Sequence, residues 1–236
     1  MYDRPRLLPL GDGALTVEFA DGIEDDALVA VGALDDAMIS AGPPGIIEVI
    51  PTYRSLSVVY DPSILSSTAL RRWVEQVRLE RRRRSGARPT LVVPVTYGGS
   101  HGPDLTDVAE HCRLSESEVI RRHSGADYSV AMLGFQAGFP YLAGLPPELN
   151  VPRLASPRTT VPAGAVGIAG GQTGIYSSTS PGGWRIIGWT PLVLWDPGRD
   201  RPSLLEPGDR VRFCPVESVA ASAQGRKADR AGGEPR

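Results

Sequence analysis

The sequence predicts an α+β chain of two parts, a small N-terminal α+β sandwich followed by a closed β-barrel. Three observations carry this prediction. From Gly11 to about residue 84 the hydrophobic period changes in the order strand, helix, strand, strand, helix. Beyond residue 88, short β-branched runs recur between Gly/Pro turns, which is the pattern of a barrel. Between the two lies a polar punctuation, Arg81–Arg84 followed by Ser85, Gly86 and Ala87. Domains are therefore expected at 1–87 and 88–216, with 217–236 a disordered tail rich in Ala, Gly and Arg.

In the first part, residues 11–19 (GDGALTVEF) read as a turn entering a strand, because Leu15, Val17 and Phe19 alternate to one side. Residues 24–40 bring Leu28, Val31, Leu34 and Met38 near one face of a helix. The runs 46–50 (IIEVI) and 56–60 (LSVVY) flank a short polar connection and form a hairpin. Residues 67–84 make a second amphipathic helix, with Leu70, Trp73, Val74 and Val77 on one face. This order suggests a ferredoxin-like arrangement. The run Arg81–Arg84 could bind phosphate or nucleic acid, but a solvated helix C-terminus favoured by the macrodipole is the simpler reading.

In the second part, residues 90–97 (TLVVPVTY) open as a strand. Helices are expected at about 104–112 and 116–123, the second with capping-box spacing between Ser115 and Glu118. Strands follow at 127–134, 165–168, 185–195 and 204–213, with turns at Asp196–Pro197–Gly198 and Pro207–Gly208–Asp209.

Composition removes several classes of function. A net charge of -2 and a pI of about 6.0 give no global attraction to nucleic acid or anionic membrane. No apolar run approaches the roughly 20 residues that span a bilayer, and the first residues lack the apolar core of a signal peptide. Cys112 and Cys214 lie far apart, as in a reducing compartment, so a cytoplasmic protein is expected. The single lysine, Lys227, falls in the tail. That excludes from this chain a P-loop, a Lys–Ser–Ser amidase centre and a biotin-carrying lysine.

The chemistry-bearing residues concentrate between Gly134 and Trp184. Glycines allow a backbone to approach a ligand and expose its N–H groups, so Gly170, Gly171 and Gly174 around Gln172 and Thr173 could form a cradle. Singly, each glycine reads as a barrel corner. Arg153 and Arg158 each follow a proline and carry forks suited to a carboxylate or phosphate. His123, in RRHSGADY, could serve as acid or base, or could be a helix-end histidine facing the dipole. His101 reads as a loop residue and His111 as a helix-surface residue. Three scattered histidines have no metal-ligand spacing.

The segments GFQAGFPYLAGLP (134–146), PR…SPR…VPAGAVGIAGGQTGIY (152–176) and SPGGWRIIGWTP (180–191) resemble the hallmark segments of the family that holds the B subunits of 5-oxoprolinase and the kinase inhibitor KipI. Members are also labelled allophanate hydrolase subunit 1. The likeness runs from GDGALTVEF through VPVTYGG (93–99) to PGDRVRF (207–213), so it covers almost the whole chain except the tail. Three positions depart from it. Ala137 and Ser177 stand where proline is usual, a change expected to loosen loops, and Trp189 stands where a polar residue is usual.

The resemblance implies an N-terminal α/β domain and a cyclophilin-like barrel. It implies a barrel partner, the C subunit of 5-oxoprolinase, together with a third protein, the A subunit. Together these convert 5-oxoproline, ATP (with Mg²⁺) and water to glutamate, ADP and phosphate. Two alternatives stay open, a KipI-like inhibitor of a sensor histidine kinase and a urea carboxylase-related protein. With the residue reading, the resemblance nominates His123, Arg158 and Gln172 as catalytic. It nominates Phe135, Gln136, Phe139, Tyr141, Arg153, Gly170, Gly171, Thr173, Pro181, Gly182, Gly183 and Trp184 as substrate-binding, with no metal site. The expected pocket joins Gln172, Thr173, Arg158 and the Pro181–Gly183 turn, with His123 nearby.

Overall fold

The computed structural model describes residues 1–77 and 90–217. Arg81–Arg84, the Ser85–Ala87 boundary and residues 218–236, Lys227 among them, lie outside the described residues. The chain divides into two compact units at Ala87/Arg88.

The first unit contains β1 (Arg6–Pro9), β2 (Ala14–Glu18), α1 (Asp25–Ala41), β3 (Ile46–Pro51), β4 (Ser55–Tyr60) and α2 (Ser67–Gln76). Its sheet has the order β1-β2-β4-β3 and is antiparallel throughout. Leu15 and Val17 on β2, Leu56 and Val58 on β4, and Leu34 and Met38 on α1 close one core, as the alternation requires. Of the helix expected over 67–84, α2 ends at Gln76, where Val77 is extended, and 78–84 lie outside the described residues. At its start, Ser66 accepts from the Ala69 amide at 3.2 Å. The ferredoxin-like order needs a strand after the second helix to pair with the first strand. Here that edge is taken by β1, from the start of the chain. β1 was illegible because three of its four residues are exposed and it ends on proline, as edge strands tolerate.

The second unit contains β5 (Leu91–Tyr97), α3 (Leu105–Cys112), α4 (Glu116–Gly125), β6 (Tyr128–Leu133), β7 (Pro140–Ala143) and a 3₁₀ turn at Pro147–Leu149. It continues with β8 (Arg158–Val161), β9 (Ala165–Ala169), β10 (Gln172–Ile175), β11 (Ser180–Gly182), β12 (Arg185–Trp189) and β13 (Arg210–Pro215). Seven of these strands form a closed barrel, β10-β7-β6-β13-β5-β12-β9, completed by β9 against β10. β13 runs parallel to β5. β8 and β11 form a separate two-stranded ribbon. The barrel interior is filled by side chains, among them Val93, Val95, Leu142, Ile168, Ile187 and Phe213, so it is a core rather than a channel.

Two expected strands are shorter than their apolar runs. The run 185–195 stops at Trp189, before Pro191, and the run 204–213 starts only at Arg210, after the Pro207–Gly208–Asp209 turn. The capping box of α4 forms by half. Ser115 accepts from the Glu118 amide at 3.2 Å, while the Glu118 carboxylate turns to Arg121 and Arg122. Those two guanidinium groups hold it well below the usual carboxylate range, at about 2. Among the described residues no helix is long and apolar enough to cross a membrane.

Candidate ligand site on the outer wall of the barrel

Strand β10 decides which side of the barrel wall each candidate faces. Directly opposed residues on neighbouring antiparallel strands point the same way. Thr173 is opposed by Ile168 and Leu142, both in the interior core, so it points inward. Gln172 and Gly174 alternate with it and face outward. Tyr176, two residues beyond Gly174, belongs to the cluster on the outer face. The expected pocket of Gln172, Thr173, Arg158 and His123 is therefore divided by the wall itself.

Inside, a chain of neutral hydrogen bonds crosses the core. The Thr173 hydroxyl donates to the Gly167 carbonyl at 3.0 Å and stands 2.9 Å from His123 Nε2. His123 Nδ1 is 2.8 Å from the Tyr97 hydroxyl. Because the threonine proton is spent on Gly167, Nε2 carries the ring hydrogen and Nδ1 accepts from Tyr97. The imidazole also stacks on Phe213 at 4.5 Å, and its backbone carbonyl accepts from the Tyr128 hydroxyl at 2.8 Å. His123 is 0% exposed, and burial lowers its pKa from 6.5 to about 3. The expected acid role and the expected dipole partnership both need a charge that burial disfavours here, and a base role needs a free ring nitrogen, whereas both are taken up by Tyr97 and Thr173.

Outside, the aromatic candidates converge. Phe139 lies over Gly174, edge-on to Tyr176 at 5.3 Å and to Trp184 at 5.6 Å, with Tyr141 at 4.9 Å. Phe135 joins them at 5.6 Å from Phe139 yet stays 62% exposed. Its backbone is strained. With φ at +64° and the Gln136 N–H closing on the Gly134 carbonyl at 2.7 Å, it forms a γ-turn of the disfavoured hand. Such a conformation costs on the order of 1–3 kcal/mol and persists only where neighbours enforce it. The neighbours here are Ser177 and Ser178. The Ser177 hydroxyl donates to the Ala137 carbonyl at 2.7 Å, and Ser178 Oγ donates to the Gln136 side chain. Ala137 and Ser177, expected to loosen the loops, instead tie them together.

Arg158 opens β8 opposite Gly182. Its Nη2 meets Asp104 Oδ1 at 2.6 Å, and the other Asp104 oxygen accepts from the Ile186 amide at 2.6 Å. Asp104 is only 6% exposed, so the pair is firmly anchored. Arg153 is exposed, and its charge acts on the phenols of Tyr141 and Tyr176. Burial nevertheless keeps both phenols above the usual tyrosine range.

The expected cradle at Gly170–Gly171 is the tight turn of the β9–β10 hairpin, with φ of +57° and +76°. One of its amides is already used, since Gly170 donates to the Val151 carbonyl at 2.7 Å. Trp189 is held locally, its Nε1 donating to the Ala163 carbonyl at 2.8 Å while its ring stacks on His101.

Sequence reasoning missed Tyr176, Asp104 and Tyr97. Tyr176 could have been found by continuing the alternation Gln172, Gly174 outward. Asp104 carried no signal, because its role depends on contacts with residues 54 and 82 positions away.

Neighbouring glycines give a sharp test of this packing. A Cβ on Gly182 would stand 2.3 Å from the Tyr176 oxygen, whereas one on Gly183 would meet Pro157 at an ordinary 3.6 Å. Gly182→Ala is expected to lower the stability of the second unit by about 1–3 kcal/mol, and Gly183→Ala by less than about 1 kcal/mol. Urea denaturation followed by tryptophan fluorescence measures both. Equal losses would mean that Tyr176 does not pack as described.

The comparisons with known proteins agree with this architecture. The carboxyltransferase domain, subdomain C and D, family matches residues 5–205. The B subunit of 5-oxoprolinase from Escherichia coli O157:H7 is 43% identical over 90% of this chain and 96% of its own length. The B subunit from Bacillus subtilis is 42% identical over 92% and 95%. The crystal structure of TTHA0988 superposes with a TM-score of 0.76 at 40% identity, covering 87% of this chain but only 40% of the longer protein. The chain thus belongs to the carboxyltransferase subdomain C and D family, among the 5-oxoprolinase B subunits.

Proposed function

We propose that the chain acts as the B subunit of an ATP-dependent 5-oxoprolinase, working with the A and C subunits to convert 5-oxoproline, ATP and water to glutamate, ADP and phosphate. The observation that carries this is the end-to-end identity of 43% with the 5-oxoprolinase B subunit of Escherichia coli O157:H7. In this reading the site lies on the outer wall of the barrel. An unstrained lactam resists hydrolysis, and phosphorylating its carbonyl oxygen makes the carbon electrophilic. The chain's part is to hold and orient the ring. Arg158 and Arg153 provide cationic forks for its carboxylate. Gln172 offers both a donor and an acceptor to its amide. Phe139, Tyr141 and Trp184 exclude water from its apolar edge. Gly183, free of steric pressure, lets the backbone approach.

ATP, with Mg²⁺, is the co-substrate of this reading. Among the described residues no group of three or more His, Cys, Asp or Glu converges to hold a metal, and the single lysine lies outside them. The described residues therefore show no cluster for the metal, and in this reading it is held, with the phosphates, by the other two proteins of the enzyme. The cyclophilin-like character of the barrel and a cytoplasmic setting belong to the same reading.

In this reading the C subunit is the partner that covers the exposed apolar residues of the second unit. Phe135, Val193 and Trp195 are all exposed, and Gly138, in the Phe135 loop, lies against Trp195. A stable complex burying more than roughly 1,600 Å² is expected. Two measurements test the proposal. Purified alone, the chain should release no glutamate from 5-oxoproline and ATP. Mixed with the A and C subunits it should turn over, and it should co-elute with the C subunit on size exclusion. Activity of the chain alone, or separate elution at micromolar concentration, refutes it.

A further inference from the structure

The outer-wall cluster holds more hydrogen-bond donors than acceptors. Arg158 presents its two terminal nitrogens differently. Nη2 is committed to Asp104, whereas Nη1 is buried and finds no hydrogen-bond acceptor among the described residues. A buried donor without a partner costs about 1–3 kcal/mol, so a fold retains one where something else supplies the acceptor. Beside it, Tyr176 is almost fully buried, its oxygen against the Gly182 backbone, and Gly182 is the register partner of Arg158. The Trp184 amide donates toward that oxygen, and the charges of Arg158 and Arg153 both act on it. Three of the groups that act on the Tyr176 hydroxyl, the Trp184 amide, Arg158 and Arg153, are therefore donors or cations. None of the three can accept its proton.

We infer that Tyr176 and Arg158 Nη1 together form an oxyanion receptor, a subsite that binds the carboxylate of a small cyclic acid, with Arg153 at its rim. The Tyr176 proton and the Nη1 hydrogen each take one carboxylate oxygen. The Asp104 pair holds the guanidinium in place, so little side-chain freedom is lost on binding. The aromatic rings of Phe139 and Trp184 leave the ring of the acid against an apolar wall. Tyr176 sets specificity, because a carboxamide in the same place would turn an N–H toward the donors and leave one of them unpaired. This inference rests on the 5-oxoprolinase reading only for the identity of the acid, since the receptor itself follows from this chain's own donors.

The experiment has two arms. In the first, the full chain alone is titrated with cyclopentanecarboxylate and with cyclopentanecarboxamide, probes that lack the lactam, and binding is followed by NMR line broadening. The wild type is expected to prefer the acid at least tenfold. Tyr176→Phe and Arg158→Lys should each abolish the preference. Arg158→Lys keeps a cation for Asp104 and removes only the second fork nitrogen, so it reports on the receptor even where Tyr176→Phe folds poorly. In the second arm, the complex reconstituted with the A and C subunits is assayed. Both variants should raise KM for 5-oxoproline about tenfold or more while KM for ATP stays constant.

Folded variants that keep the acid preference, or a folded wild type that binds neither probe, overturn the inference. A rise in KM for ATP instead, or displacement of the acid by lower concentrations of inorganic phosphate, reassigns the donors to a phosphate and overturns it too. Acid preference in the first arm with no turnover in the second leaves the receptor standing and removes the 5-oxoprolinase reading.

Discussion

Taking the protein from pH 7 to pH 4 is expected to remove about 3 kcal/mol of stability from the barrel unit, because His123 is buried neutral and its folded pKa lies near 3. The sign follows from proton counting. The unfolded chain protonates this histidine below about 6.5, while the folded chain does so only near 3. Between those values the unfolded state binds the extra proton, so stability falls as pH falls through the window. It levels off below about pH 3, at a total near 5 kcal/mol. Carboxylates that are ion-paired in the folded state add a loss of the same sign, but only from about pH 5 downward. The interval from pH 6.5 to 5 isolates the histidine. Urea midpoints measured at half-unit steps through it, on the wild type and on His123→Gln, provide the check. The glutamine can bridge Tyr97 and Thr173 without titrating, so its midpoint should be lower at pH 7 and flat over the same interval. A wild-type midpoint that is also flat there would show that the imidazole is not sealed in the core.

Replacing Arg158 with alanine is expected to lower kcat/KM for 5-oxoproline in the reconstituted enzyme by roughly 30- to 1,000-fold, about 2–4 kcal/mol, if the guanidinium meets a desolvated carboxylate. The structure supplies a competing explanation for any loss, because Arg158 also holds Asp104 at 2.6 Å. Asp104→Asn separates the two. An asparagine still accepts from the Ile186 amide but gives up the ion pair, so it imitates the structural part of the Arg158 deletion and leaves Nη1 in place. Arg158→Ala should therefore damage catalysis at least tenfold more than Asp104→Asn at comparable loss of stability, as read by circular dichroism melting. Matching kinetic losses would make Arg158 a structural arginine, fastening β8 to the start of α3.

Much of this was legible beforehand, and the particular residues show why. Leu15 and Val17 alternate in β2, and Leu34 and Met38 repeat at helical spacing in α1, so their local period already declares which face is buried. The Asp196–Pro197–Gly198 and Pro207–Gly208–Asp209 turns are written in residues that restrict or release φ. β1 and β11 were not legible. Both are short strands, β1 largely exposed and β11 half-buried, whose only reason to form is a partner contributed by another segment. The candidate residues were legible as a set but not as a place. Gln172 and Thr173 are neighbours in sequence and read as one pocket, yet a strand sends adjacent side chains to opposite faces.

By itself, then, the sequence determined the two-part α+β organisation, the barrel, the family, and the absence of a lysine from all but the tail. Those properties rest on local periodicity, on turn chemistry and on long motifs that do not depend on what lies across the barrel. Only the tertiary structure decided that His123 is a neutral core group, that Arg158 is clamped by Asp104 with one nitrogen left over, and that Tyr176 stands beside it. Each of those depends on closing the barrel. Closure brings together residues 50 or more positions apart, His123 with Thr173 and Arg158 with Asp104, and it takes water from the imidazole. The charge state of a side chain and the partners left to it are consequences of that burial, and burial is a property of the closed barrel rather than of any segment within it.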